Sequence, residues 1–424
     1  MPTNSVENEN NVNRPLSLAP VGAENSALSG VRVLCGDIAG AQSAAPRRPF
    51  DDTVIEFLSA LSKDLMKAPE ARKYPEVITF AFFCRKGNLL QLKNTYEDRI
   101  GIRIGRGLAF HIAPSNVPVN FAYTLISGLL AGNANIVKAS SRDFEQVRII
   151  SSAISRTAER FPEMKPYATV VIYDRDRQDL TEYFSAACNV RVIWGGDRTI
   201  ASVRRAPILP RTVELCFADR YSLAVISAEA ILSASEEEMK ALAQGFYNDT
   251  YLYDQNACTS PRLIYWLGGN KQPDEAKKIF WTAIYTYIQP RYVVESEMAV
   301  NKLLAADRTA IAIPGSRVEE ARDNRIVRVV IPELAMNLPD LREAGGFFHE
   351  YMDETLEPLA SIVTEKYQTL SYYGLSPEDL RDFVISHGLR GIDRITPIGY
   401  TTDWGMTWDG YDLIETMSRE IVGF

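Results

Sequence analysis

Histidine is nearly absent from this 424-residue chain: there are three, His111, His349 and His387, and none is paired with another ligand at metal-binding spacing. A zinc or haem site is therefore not expected. Cysteine is sparse too. Cys35, Cys84, Cys188, Cys216 and Cys258 are odd in number, widely spaced and without a CxxC, which argues against a disulfide framework and for reduced thiols in a reducing compartment. Long apolar runs are missing; the longest, near residues 121–131, is too short and broken to span a bilayer. The opening MPTNSVENENNVNRP has no basic stretch followed by an apolar core, so no secretion signal is expected. Basic residues are outnumbered, 46 Lys and Arg against 54 Asp and Glu, for a net charge of −8. That balance supplies no basic face for nucleic acid or an anionic membrane. These absences together describe a soluble, cytoplasmic protein with a small-molecule partner.

What is present is alternation. With 46% hydrophobic residues the chain can bury a large core and divide into two or more domains. Residues 1–49 are rich in Asn, Ser, Ala and Pro without apolar periodicity and read as a poorly ordered tail. From Phe50 short β-rich runs alternate with helical patterns: LAFHIA, a helix through FAYTLISGLLAG, NIVKA, then a helix carrying Val147, Ile150, Ile154, Ala158 and Phe161 on one face. TVVIYD, a helix, VRVIW and a helix after Gly195-Gly196 follow. Alternation of this kind predicts βαβ units and a mostly parallel sheet. After Glu214 the pattern restarts with SLAVIS, a helix from Glu236, LIYWL and a helix opened by Pro273. Ser376-Pro377-Glu378-Asp379 resembles a capping box, and the tail from Gly391 reads as strand, turn and the short helix DLIETMSREI. The division expected is a tail at 1–49, a first domain at 50–218, a second at 219–390 and a C-terminal segment at 391–424.

Chemistry-bearing residues are few. No GxGxxG follows a strand; GIRIGRG has glycines at other spacings, and Gly105-Arg106-Gly107 reads as a turn between strands. Lys138, at the carboxyl end of NIVK and ahead of Ser140 and Ser141, places an ammonium and two hydroxyls where open α/β sheets bind ligands. Gly195 and Gly196 would let backbone N–H groups approach a phosphate. Plainer readings stand beside these, a surface lysine and an ordinary turn. Asn116, between Pro114 and Pro118, is a rigidly held amide that could donate to an oxyanion, or a loop residue. Cys258 lies in DQNACTSPR at 254–262, where Gln255, Asn256, Thr259 and Ser260 supply the polar surroundings a nucleophilic thiol needs to ionise. The other cysteines have apolar, helix-end or tail contexts.

The ordered series HIAPSNVP, GLLAGNANIVKASS, WGGDRTI, VEL at Glu214, DRYSLAVI, YDQNACTSP and RITPIGYTTDWGMTWDGYDLI, over roughly residues 100–420, resembles the aldehyde dehydrogenase superfamily and more closely the LuxC-type acyl-CoA reductases. The resemblance implies an α/β, aldehyde-dehydrogenase-like fold. It would comprise a Rossmann-type dinucleotide-binding domain, an α/β catalytic domain and a small C-terminal extension. It implies Cys258 as nucleophile, Asn116 with the Cys258 N–H as oxyanion donors, and Glu214 at the family's general-base position. Lys138, Ser140, Ser141, Gly195 and Gly196 would hold the cofactor. Relatives often carry Lys-Pro-Ser-Glu where this chain has Lys138-Ala139-Ser140-Ser141; loss of that carboxylate removes a repulsion against a 2′-phosphate and favours NADPH. The implied activity is reduction of an acyl-CoA or related acyl thioester to an aldehyde through a cysteine thioester. Alternatives are an aldehyde dehydrogenase working oxidatively, a reductase of acyl groups delivered by a carrier or acyl-transferring synthetase, and a non-enzymatic binding module. A homo-oligomer is implied as well.

Overall fold

The computed structural model of the chain describes residues 28–269 and 272–423. Two sheets organise it. The first has six strands in the order Arg32–Cys35, Ala168–Ile172, Ala134–Lys138, Leu108–Ile112, Val190–Trp194, Val213–Phe217, all parallel except the first. The second has seven, in the order Arg317–Val318, Val327–Val330, Phe347–Asp353, Pro261–Leu267, Tyr221–Ser227, Tyr367–Tyr373, Arg394–Pro397, parallel except at Arg317–Val318. Parallel strands carry crossovers on both faces, so they are buried on both sides and read as continuous apolar runs. VRVIW and YSLAV, buried at every position, are of this kind.

In the first sheet the strand Leu108–Ile112 lies between Ala134–Lys138 and Val190–Trp194, its successors on opposite sides. Strand order therefore reverses beside it, and the carboxyl ends there form a crevice suited to a ligand. The helix Asn120–Leu130 follows that strand and buries nine of its residues. Gly132, at φ +88°, ends it by allowing Asn133 N–H to return to the Gly128 carbonyl at 2.9 Å. His111 is locked beneath this helix, its ring nitrogens 2.8 Å from Thr124 Oγ1 and 3.0 Å from Asn135 Oδ1, and burial holds its pKa down to about 4. It is a neutral core residue.

Two expectations are corrected. Residues 28–49, read as part of a poorly ordered tail, contain the edge strand Arg32–Cys35 and the helix Ile38–Ser43, with Cys35, Ile38 and Ala41 buried. The strand is too short and too exposed to show alternation, with only Cys35 buried among its four residues, and its stability comes from pairing with Ala168–Ile172. Residues 1–27 of that expected tail lie outside the described residues. DLIETMSREI does not run on as one helix. The helix stops at Leu413–Met417, and Ser418–Glu420 pairs antiparallel with Arg103–Gly105. The chain thus leaves the second sheet at Arg394–Pro397 and returns to the first unit, carrying residues 404–412 across the seam between the sheets.

Candidate active site

A cavity of about 630 Å³ opens at that seam. The first unit contributes Asn116, Tyr123, Lys138, Ser140, Ser141, Trp194, Gly195 and Gly196 to its wall; the second contributes Cys258; the returning segment contributes Trp404, Trp408 and Asp409. Seven of the eight site residues expected from sequence converge here, although they are as much as 142 positions apart, from Asn116 to Cys258.

The loop bearing Cys258 is held from beneath. Asp254 and Gln255 have left-handed backbones, φ +50° and +59°, turning the chain out of the helix Glu236–Thr250 toward the strand Pro261–Leu267. The Gln255 amide is fully satisfied. Its Nε2 donates to the carbonyls of Pro261 and Phe347, and its Oε1 accepts from the N–H groups of Gly346 and Phe347. Ser260 Oγ donates to the Asp249 carbonyl at 2.7 Å, and Ser222 Oγ to the Cys258 carbonyl at 2.7 Å. Gln255 and Ser260 therefore fix the loop and do not solvate the thiol, which corrects the expectation that they promote its ionisation. Burial instead pushes Cys258 up to about 11, with Asp409 adding to the rise. At neutral pH the thiol is protonated and needs a proton acceptor to act as a nucleophile.

Asn116 reaches across the seam, its Nδ2 donating to the Asn256 carbonyl at 3.2 Å, two residues before Cys258. An incoming carbonyl oxygen would compete for this amide. Lys138, also in the lining, has its pKa lowered by burial and by Arg175 and lies over the Tyr173 ring at 4.9 Å. Arg175 also lines the cavity, a second cation near Lys138 that sequence reasoning passed over. Ser140 Oγ accepts from the Arg142 N–H at 3.2 Å, and no Cβ crowds Gly196, so the backbone there is open to close approach. An aromatic wall completes the lining. Trp194 stacks on Phe217 at 3.8 Å, Trp404 on Trp408 at 4.6 Å and Tyr123 on Trp404 at 5.0 Å between ring centroids.

Glu214, the eighth expected residue, is not brought to the site. Along Val213–Phe217 side chains alternate, and Phe217 faces the cavity, so Glu214 projects from the opposite face. There it binds Arg191 through Nε at 2.8 Å and through Nη2, and Arg204 through Nε at 2.7 Å. It neutralises a guanidinium that is only 2% exposed. A carboxyl that does line the cavity is that of Asp409, which lies within the C-terminal motif RITPIGYTTDWGMTWDGYDLI and which sequence reading did not single out. Its Oδ1 accepts from Gln368 Nε2, and the Gln368 amide lies against the thiol. No local pattern marks Gln368, since its place depends on how two distant strands align. Among the described residues no cluster of side chains could hold a metal, and no helix is long and apolar enough to cross a membrane.

Comparison with known proteins bears on this geometry. A lactaldehyde dehydrogenase from Escherichia coli superposes with a TM-score of 0.58 at 12% identity, covering 87% of this chain and 82% of that one. The chain has the aldehyde dehydrogenase fold. A long-chain acyl-protein thioester reductase from Aliivibrio fischeri is 29% identical over 167 residues, 39% of this chain, and one from Vibrio harveyi is 22% identical over 296 residues, 69% of this chain. The matched segments span 33% and 59% of those relatives' lengths. The family model described as acyl-CoA reductase (LuxC) matches residues 86–420, which include every cavity residue named above, and the chain belongs to that family.

Proposed function

We propose that this protein reduces an acyl thioester to an aldehyde through a covalent acyl group on Cys258, with NADPH as the hydride donor. The observation that carries the reading is that one cavity is lined by Cys258 and Asn116 together with Lys138, Ser141 and Arg175. A nicotinamide dinucleotide suits the lining formed by Lys138, Ser141 and Arg175. It lies at the carboxyl edge of parallel strands beside the reversal of strand order, with Gly196 unobstructed, two cations in the lining and no carboxylate at Ser141 to repel a 2′-phosphate. Bound there, the reduced nicotinamide would supply the hydride.

The chain's own residues do the rest. Cys258 Sγ, once deprotonated, attacks the thioester carbonyl, while the Asn116 amide and the Cys258 N–H receive the oxyanion. Collapse expels the donor thiol and leaves the acyl group on Cys258. After reduction the thiohemiacetal breaks its C–S bond, freeing the aldehyde and the cysteine. The aromatic wall of Tyr123, Trp194, Phe217, Trp404 and Trp408 offers an apolar surface for the acyl group and limits water beside it. The oxidative reading assigns water activation to Glu214, and that carboxylate is engaged with Arg191 and Arg204 off the cavity. The relatives' names point to acyl groups presented on protein, so the donor is either acyl-CoA or a synthetase-borne thioester.

Incubation with a panel of acyl-CoA thioesters without cofactor should yield an acyl adduct on Cys258, visible by intact-mass and peptide spectrometry. NADPH should discharge it to aldehyde, faster than NADH does. Cys258→Ala should abolish the adduct and Cys216→Ala should retain it. Labelling at Cys216, discharge to a carboxylic acid, or faster discharge with NADH would each overturn the corresponding part of the reading.

A further inference from the structure

We propose that Asp409, oriented by Gln368, carries the proton of the Cys258 thiol during acyl transfer. The inference rests on the acyl-transfer reading above and supplies the proton acceptor that Glu214, turned off the cavity, does not. Cys258 and Asp409 line the same cavity. Gln368, 2% exposed, stands between them, donating through Nε2 to Asp409 Oδ1 with its amide against the thiol. Its Oε1 has no partner among the described residues. This placement is fixed by the backbone. Ser222 Oγ donates to the Cys258 carbonyl and accepts from the Thr369 N–H at 3.2 Å, so the strand carrying Gln368 is stitched to the cysteine loop.

A hairpin explains part of what is seen at Asp409. Asp409 and Gly410 join Thr407–Trp408 to Tyr411–Asp412 with φ of +47° and +75°, a two-residue turn for which Asp-Gly and Asn-Gly are the preferred sequences. The turn accounts for the backbone, and Asn would serve it equally. It does not account for a carboxylate directed into a cavity against a buried amide beside a thiol. The charged groups around the pair are Arg220 and Asp393, which are themselves paired, with Arg394 also close to the thiol. Burial raises the Asp409 carboxyl above its ordinary range, against the opposing pull of Arg220 and Gln368. Such a group accepts a proton and gives it back more readily than an exposed aspartate.

The proton balance is closed. The S–H bond breaks, an O–H bond forms on Asp409, directly or through one water, and the sulfur pair forms the new C–S bond. When the tetrahedral species collapses, the bond to the donor sulfur breaks and that thiolate takes the proton from Asp409, which is again a carboxylate.

Asp409→Asn keeps the favoured hairpin turn and removes only the proton carrier. Two reactions on the full-length chain separate the possibilities. Acylation of Cys258 by the best acyl-CoA should slow by roughly 100-fold at pH 7 and recover as pH approaches 10, where the thiol ionises unaided. Alkylation by iodoacetamide also breaks the S–H bond and is therefore compared at about pH 10, where the thiol ionises without Asp409; there it should be as fast as in the unaltered chain or faster, because a negative charge beside the thiolate is gone. Acylation within threefold of the unaltered chain would overturn the proposal. So would slowing of the alkylation at that pH as well, which marks a disturbed site. A chain that no acyl thioester acylates in its unaltered form would sink the acyl-transfer reading and this proposal with it.

Discussion

A buried guanidinium left without a counter-charge is costly, and Arg191 is buried in the first unit with Glu214 as its anionic partner. Burial works to raise the Glu214 carboxyl, and the hydrogen bonds from Arg204 and Arg191 outweigh it, so its folded pKa lies below the ordinary value. A lowered pKa means stability that is complete above the unfolded value of about 4.3 and fades as pH falls through the folded one. Glu214→Gln should therefore lower stability by roughly 1–3 kcal/mol near neutrality, and the gap should close in acid melts below about pH 4. Acylation of Cys258 in the folded variant should stay within threefold; a loss of a hundredfold or more would return Glu214 to the chemistry. Other residues divide on the same physical ground. Cys258, Asn116, Lys138, Ser140, Ser141, Gly195 and Gly196 were legible because motif order and residue chemistry coincide at them. Glu214 shares the family's motif, but its strand face points it away. Asp409 was hidden behind an Asp-Gly turn that already had a sufficient local explanation, and Arg175 behind an exposed, charged stretch.

Strands buried on both faces announce themselves, and edge strands do not. NIVK, VRVIW and LIYWL are continuous apolar runs because helices cover both sides, so the parallel alternation could be read directly. Arg32–Cys35 gives no such signal, being mostly exposed and held by antiparallel pairing of Arg32, Val33 and Cys35 with Ile172, Val171 and Val170. Its removal bares one edge of the six-stranded sheet along with the packing of Cys35, Ile38 and Ala41. Burial of a large apolar side chain contributes about 1.5–3 kcal/mol, so the loss is a sizeable part of a domain's stability. A chain beginning at Pro46 should consequently melt well below one beginning at Leu28 and show more dye-accessible apolar surface. Melting points within ~2 °C of each other would mean that the strand is an appendage of the sheet.

At the scale of the whole molecule the site exists only while three parts stay together. The first unit supplies Asn116, the second Cys258 and Gln368, and the returning C-terminal segment Trp404, Trp408 and Asp409. That return could not be read from sequence, because SREI continues an apparently helical pattern and its pairing with Arg103–Gly105 joins residues 315 positions apart. Arg103 is the principal fastening. Its Nε donates to Ser418 Oγ at 2.8 Å, its Nη2 to the Glu415 carbonyl at 2.6 Å, and its Nη1 lies 3.5 Å from Glu420. Arg106 Nε adds a bond to the Thr416 carbonyl at 2.9 Å, and Asn133 Nδ2 one to the Met417 carbonyl at 2.9 Å. Arg103 is 13% exposed and remote in sequence from the chemistry, so its loss should act through position alone. Arg103→Ala removes charge-assisted bonds worth roughly 1–3 kcal/mol each, a cost that local fraying of residues 413–423 can relieve without unfolding either sheet. Expected, therefore, are a modest fall in melting temperature, faster amide hydrogen exchange confined to 404–423, and slower acylation of Cys258 because Asp409 is less often in place. Iodoacetamide labelling of Cys258 at about pH 10, where the thiol ionises without Asp409, should be unchanged or faster. Exchange that rises uniformly through both sheets would show instead that the C-terminal segment supports the global fold, and acylation at the unaltered rate despite a frayed segment would free the chemistry from it.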